Sequence, residues 1–198
     1  MRGHIFCAVD VETTGRVPGY NEIIQLAIVP LNEELDVNRD LPSFNGLMCP
    51  DYPERWSSKA EGVHGISREM LETHGLSQDQ MFDKFDEYFN RLELPENKRI
   101  TPLAHNWAFE KVFLQHWMGF DTFDEYFQST ARDTFLLANS INDMCAWQGK
   151  DQYFGRTNLT DMCKKLGVTL TNAHDALADC EATIEVYRKL IALFGRKQ

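Results

Sequence analysis

The chain has no surplus of positive charge: its 198 residues carry 20 Lys and Arg against 30 Asp and Glu, a net charge of −10. This excludes a protein that grips nucleic acid through a broad basic surface, but not one whose bound metal ions supply positive charge locally. The five cysteines are odd in number and include no C-x-x-C pair. They therefore read as free thiols in a reducing compartment rather than a disulfide framework. Cys163, His174 and Cys180 also miss zinc-finger spacing. Long apolar runs are missing too, since the first, IFCAV, breaks at Asp10 and nothing that follows is long enough to span a bilayer. Neither a targeting segment nor a membrane contact is expected, and the chain reads as intracellular and cytoplasmic. There is no repeat and no low-complexity tract, and the PENK turn near Pro95 is the only candidate seam.

What is present suits a folded globular domain. A hydrophobic fraction of 43% with 12% aromatic residues can fill a core, and the length fits one domain over residues 1–198. Ile5 to Val11, Ile23 to Leu31 and Phe44 to Cys49 are apolar runs bounded by turn residues, so they read as strands with an antiparallel start. SREMLETHG reads as a short helix opened by a capping box at Ser67 and closed by Gly75. In SQDQMFDKFDEYFNRL, Met81, Phe82, Phe85, Tyr88, Phe89 and Leu92 recur at helical spacing, a core-facing stripe with no chemistry of its own. A strand from Ile100 to Ala104 leads into the helical pattern WAFEKVFLQHWMGF. Three more helices follow in ARDTFLLANSINDMCAW, in TNLTDMCKKLGV capped by Thr157 or Asn158, and in AHDALADCEATIEVYRKLIALF. Strands first, then alternating strand and helix, predict an α/β domain with a mixed sheet.

The acids come next. Side chains two apart on a strand share a face, so Asp10 and Glu12 in FCAVDVETTG stand side by side. Alone, the pair is either a solvated strand end or two ligands around a cation, because two close carboxylates repel. A polar TTG turn follows them, and Asp175 is available to stabilise the positive end of the last helix. His174 just ahead of that helix, Asp179 inside it and Glu110 on a helix directly after a strand all fall where strand ends and helix starts adjoin at one rim of an α/β sheet.

The order D-x-E-T-T-G, then H-N followed by an aromatic and an acid, then H-x-x-x-x-D, resembles the DEDDh exonucleases, the family of bacterial proofreading epsilon subunits and RNase T. VHGIS at residues 63–67 and RDTFLLA after the last strand add to the match, which runs from Ile5 to the closing helix. The resemblance implies an RNase H-like fold with a mixed five-stranded sheet and flanking helices. It makes Asp10, Glu12, Glu110 and Asp179 ligands of two Mg²⁺ or Mn²⁺ ions and His174 the general base. Hard oxygen donors and a phosphate substrate suit those ions. It also implies that Thr13, Thr14, His64 and Asn106 bind the terminal nucleotide. A loop-fixing role for His64 and a helix-capping role for Asn106 stand beside that reading.

Two residues depart from the family pattern. Glu110 occupies a place usually held by Asp, one methylene longer, so it is a working ligand, a partial defect or a surface residue. Trp107 replaces a small residue and either stacks on a base or fills a groove. The expected function is a metal-dependent exonuclease releasing nucleoside monophosphates from the 3′ end of single-stranded nucleic acid, DNA ahead of RNA. The rival is an exonuclease-fold scaffold disabled at Glu110. A homodimer and a polymerase are the protein partners the resemblance raises. Because the sequence stops at FGRKQ, a stand-alone nuclease is expected as readily as a proofreading subunit.

Overall fold

Nine residues, Ile5–Thr13, form the central strand β1, and its burial on both faces explains why apolar residues run nearly without a break until Asp10. In the computed structural model, which describes residues 5–96 and 98–195, β1 pairs antiparallel with β2 (Ile23–Pro30) and parallel with β4 (Ile100–Ala104). β3 (Phe44–Leu47) runs antiparallel to β2, and a two-residue β5 (Arg132–Asp133) runs parallel to β4. The order β3-β2-β1-β4-β5 is the mixed five-stranded sheet that was expected. Because β4 inserts beside β1, the chain beyond the PENK turn completes the same sheet; Asn97 of that turn lies outside the described residues.

The helices divide between the two faces. One face of the sheet buries Cys7, Val9, Val11, Leu26 and Ile28 against α3 (Gln78–Arg91), α4 (Trp107–Met118) and α5 (Phe120–Tyr126). The other buries Phe6, Ala8, Ala27 and Val29 against Ala176, Cys180, Ile184 and Tyr187 of α8 (Ala176–Gly195). Strand alternation puts Asp10 and Glu12 on this second face, at the end of the row begun by Phe6 and Ala8. α6 (Thr134–Trp147) and α7 (Leu159–Leu166) pack on the outside of α8 around Phe154 and Met162. No described helix is long and apolar enough to cross a membrane, and all five cysteines are free thiols.

Boundaries moved in a few places. Phe44–Leu47 stops short of Cys49, although Met48 still bridges to Leu76. A short helix α1 (Ser58–His64), not foreseen from the sequence, precedes α2 (Arg68–His74). Ser67 does cap α2 by accepting from Met70 N, but the reciprocal capping box forms at Ser77 with Gln80. The third helical position after Ser67 is Met70, which has no side-chain acceptor to return the bond. Asn158, not Thr157, caps α7.

Asp133 joins two of these elements. Its Oδ1 accepts from Phe135 N at 2.9 Å and Leu136 N at 3.1 Å, capping its own helix α6. The same carboxylate accepts from Asn106 N at 3.2 Å and Trp107 N at 2.8 Å, so it also caps α4 from across the β4–β5 edge. Asn106 needs this help, because it sits at the start of α4 in a left-handed conformation (φ 79°) and makes no capping bond with its own side chain. Asp133→Ala is expected to lower stability by about 1–3 kcal/mol in urea unfolding, and Asp133→Ser, which caps α6 alone, to recover only part of the loss. A wild-type midpoint for the alanine variant would show that the shared cap is dispensable.

Candidate functional site

The start of α8 is clamped to the sheet beside Glu12. Gln25 is the strand partner of Glu12 and is buried, so its amide must find partners inside the protein. Its Oε1 accepts from Ala176 N at 3.2 Å and its Nε2 donates to Asp175 Oδ2 at 3.2 Å. Asp175 Oδ1 in turn accepts from Ala178 N at 3.1 Å, closing the N-terminus of the helix as its position suggested. His174 lies just before the helix with a left-handed backbone (φ 68°), and its N–H donates to Asp179 Oδ2 at 3.2 Å. A non-glycine residue held at positive φ marks backbone that its surroundings over-determine.

This docking gathers residues more than 160 positions apart in sequence. Ligand atoms of Glu12, His174 and Asp179 all lie within 4.8 Å of one another. Asp10 belongs to the same cluster, since Glu110, Glu12, Asp179 and Asp175 all act on its charge. Glu110 faces inward at 3% exposure, one turn into α4, and this removes the surface-facing reading of that residue.

At Asp10 and Glu12 the electrostatics are those of charge without compensation, whereas His174 partly offsets the repulsion at Asp179. Burial, then the neighbouring carboxylates, pushes Asp10 well above the usual range. Burial, then Asp179 and Asp175, lifts Glu12 to about 8. Asp179 rises to about 6, chiefly by burial, against the opposing pull of the His174 N–H. Glu110 is also raised, first by burial and then by Asp133 and Glu12. Every charged group acting on Asp10 and Glu12 is another carboxylate. In addition, Glu110 Oε2 and Asp179 Oδ1 are buried without a hydrogen-bond partner among the described residues. Orphaned buried oxygens among mutually repelling acids fit a divalent cation with hard oxygen ligands.

The residues expected to hold the nucleotide are differently placed. Thr13 and Thr14 are buried, and their hydroxyls already serve the turn: Thr13 Oγ1 donates to Gly15 O at 2.6 Å, and Thr14 Oγ1 accepts from Glu22 N at 3.0 Å. The β1–β2 register slips between Glu12 and Thr13, which starts that turn. His64, the last residue of α1, accepts at Nδ1 from Ile66 N at 3.0 Å and packs edge-on against Trp56. Burial lowers its pKa, and His174 is among the charges acting on it, so it lies near the cluster. Asn106 is exposed at the start of α4. Trp107 is buried against Phe123 and Phe127, which makes it packing and not a stacking surface.

Sequence reading missed Gln25 and the double role of Asp133. The signal for Gln25 was a lone amide inside an eight-residue apolar strand. For Asp133 the sequence showed an acid at a helix start but not the second helix it reaches.

The raised carboxyls set the pH dependence of stability. Glu12 at about 8 and Asp179 at about 6 keep protons in the native state that the unfolded chain releases near about pH 4. Their contribution is therefore present at acid pH and is lost as pH rises through 6 and then 8. With chelator present, Tm is expected to fall between about pH 5 and about pH 8, and added Mn²⁺ to raise Tm more at the higher pH. A Tm indifferent to Mn²⁺ at the higher pH would exclude cation binding at the cluster.

The family model RNase_T, described as exonuclease, matches residues 7–187. The PolC-type DNA polymerase III of Thermotoga petrophila is 28% identical over 195 residues, covering 96% of this chain, and that of Bacillus cereus is 30% identical over 179 residues, covering 90%. The chain spans only 12% and 11% of those two polymerases. Among solved structures, the zinc-bound E. coli ExoI–ssDNA complex superposes with a TM-score of 0.75 at 22% identity, covering 98% of this chain and 42% of that one. Cell-death related nuclease 4 gives 0.73 at 20% identity, over 96% of this chain and 64% of its own. The nuclease domain of 3′hExo, a DEDDh family member bound to rAMP, gives 0.68 at 18% identity, over 96% and 93%. These likenesses establish an RNase H-like exonuclease fold. With the family model matched from the first core strand to the closing helix, the chain belongs to the exonuclease family.

Proposed function

We propose that the chain is one metal-dependent exonuclease domain that removes nucleoside monophosphates from the 3′ end of single-stranded DNA. The observation that carries this reading is the gathering of Asp10, Glu12, Glu110, Asp179 and His174 at one end of the sheet with no compensating cation among the groups that act on Asp10 and Glu12. Single-stranded DNA is favoured over RNA because the relatives are DNA polymerases and a structural neighbour is bound to ssDNA. Association with a polymerase follows from the same relatives and belongs to this proposal.

In this reading Asp10, Glu12, Glu110 and Asp179 hold two Mg²⁺ or Mn²⁺ ions. When bound, such a pair stabilises charge on the attacking and leaving oxygens of a phosphodiester displacement. His174 takes a proton at its ring from the attacking water. Asp179 positions it by accepting the His174 N–H. The Thr13–Thr14 turn, rigid because its hydroxyls and the Thr14 backbone are already bonded, borders the terminal nucleotide together with His64 and Asn106.

Digestion of a labelled oligonucleotide in Mg²⁺ or Mn²⁺ tests the reading. Asp10→Ala is expected to abolish it, and His174→Ala to flatten the rise of rate with pH expected of the native protein. No digestion by the native protein, or an unchanged rate in Asp10→Ala, refutes the exonuclease reading, and an unchanged pH profile in His174→Ala refutes the base. Glu110 separates a working enzyme from a disabled scaffold. Shortening it by Glu110→Asp is expected to cut the rate by about 10–100-fold, since displacement of a ligand by about 1 Å is that costly. A tenfold gain instead would mark the native site as compromised.

A further inference from the structure

A chain with a net charge of −10 does not attract a phosphate backbone at long range. Its hold on a strand beyond the terminal nucleotide calls for stacking contacts, and exposed ring surface stands on the hairpin that follows the acids and on the segment tied to it. The β1–β2 hairpin presents Tyr20 at 53% exposure, and the segment leading into α1 presents Tyr52 at 46%. The Arg55 guanidinium touches both rings, 3.6 Å from the centre of Tyr52 and 5.2 Å from that of Tyr20. Tyr52 and Arg55 also line a cavity of about 600 Å³ with Phe82, Phe113 and Trp117. That volume lies in the range of small-molecule sites, about 300–1,000 Å³.

Hydrogen bonds fix this patch to the turn that follows the acids. Asn21 Nδ2 donates to Arg55 O at 2.7 Å, and Asn21 Oδ1 accepts from Val17 N at 3.0 Å. Ser57 N donates to Thr14 O at 2.7 Å, tying the second segment to the same turn. Gly15, three residues after Glu12, lies so close to Asn21 that a Cβ there would meet its amide at 2.5 Å. The segments that carry the rings are therefore fixed to the turn after Glu12 before any ligand arrives.

The cavity carries Asp51, Asp79 and Asp83 as well. Those acids repel a phosphate, whereas a nucleobase is uncharged and brings N–H donors. We propose that Tyr20, Arg55 and Tyr52 form a stacking platform for unpaired nucleobases upstream of the scissile phosphate, bases toward the cavity and phosphates toward solvent. The platform rests on the exonuclease reading above and extends it from the terminal nucleotide to the strand behind it. Stacking on tyrosine and arginine accepts any base, so the grip is indifferent to sequence. Salt weakens it little, because few ion pairs are formed.

Two substrates separate the platform from the cluster. The p-nitrophenyl ester of thymidine 5′-monophosphate reaches the cluster alone, while a single strand of about a dozen nucleotides with 2-aminopurine near its 3′ end also reaches the platform. Tyr20→Ala and Tyr52→Ala are each expected to raise KM for the strand by about tenfold and to remove the quenching of 2-aminopurine, with the loss absent on the ester. Tyr20→Phe and Tyr52→Phe keep the ring and are expected to behave as the native protein. Native KM and native quenching in both alanine variants overturn the platform, as does a steep fall of strand affinity with salt. Native protein that hydrolyses neither substrate overturns the exonuclease reading instead, and the 2-aminopurine titration still decides the platform.

Discussion

Mutual repulsion among buried carboxylates is the constraint around which this structure is arranged. Asp10, Glu12, Glu110 and Asp179 come from three separate elements, and each is harder to ionise for being out of water and near other carboxylates. Such a cluster opposes folding unless rigid neighbours hold it. β1 meets that need as the middle strand of the sheet, flanked by β2 and β4, so the first two acids cannot separate. A cation among the acids would turn the same repulsion into affinity, which is why a site of this kind is unfavourable when empty.

The other two acids arrive on helices, and each helix is fixed at its N-terminus by a polar side chain from elsewhere. Gln25 on β2 holds the start of α8, and Asp133 at the end of β5 holds the start of α4. Both clamps act on backbone N–H groups that a helix start leaves unpaired, so one bond set satisfies the helix and aims its acid. Glu110 and Asp179 sit within about one turn of those clamps, where little helix intervenes to dissipate the constraint.

A net negative protein with its acids in one cleft needs a different hold on nucleic acid from that of a basic binder. The Thr13 and Thr14 hydroxyls are occupied by their own turn, and the backbone of Thr14 bonds to Glu22 and Ser57, which keeps the loop after β1 rigid. The same turn anchors the Tyr20–Arg55–Tyr52 patch, so the proposed hold on the strand and the proposed chemistry share one support. Trp107, by contrast, adds nothing to a binding surface, because it fills the space between α4 and α5.

The alternation of β1, with two acids where its apolar row should continue, was legible in the sequence because a strand's period of two needs no tertiary partner. So were β1 to β4, most of the helices though not α1 or α5, the core stripe of α3 and the residues of the cluster, whose spacing matches a known family. Tertiary structure alone decided whether Glu110 turns inward, since helix pattern at the start of α4 left that residue free to face either way. It also decided that Asn106 leaves its cap to Asp133, that Gln25 holds α8, and that Tyr20 and Tyr52 meet across Arg55. The physical reason is common to all of these. Each depends on a contact between segments 26 to 151 residues apart, and side chains that distant leave no period or spacing in the chain to be read.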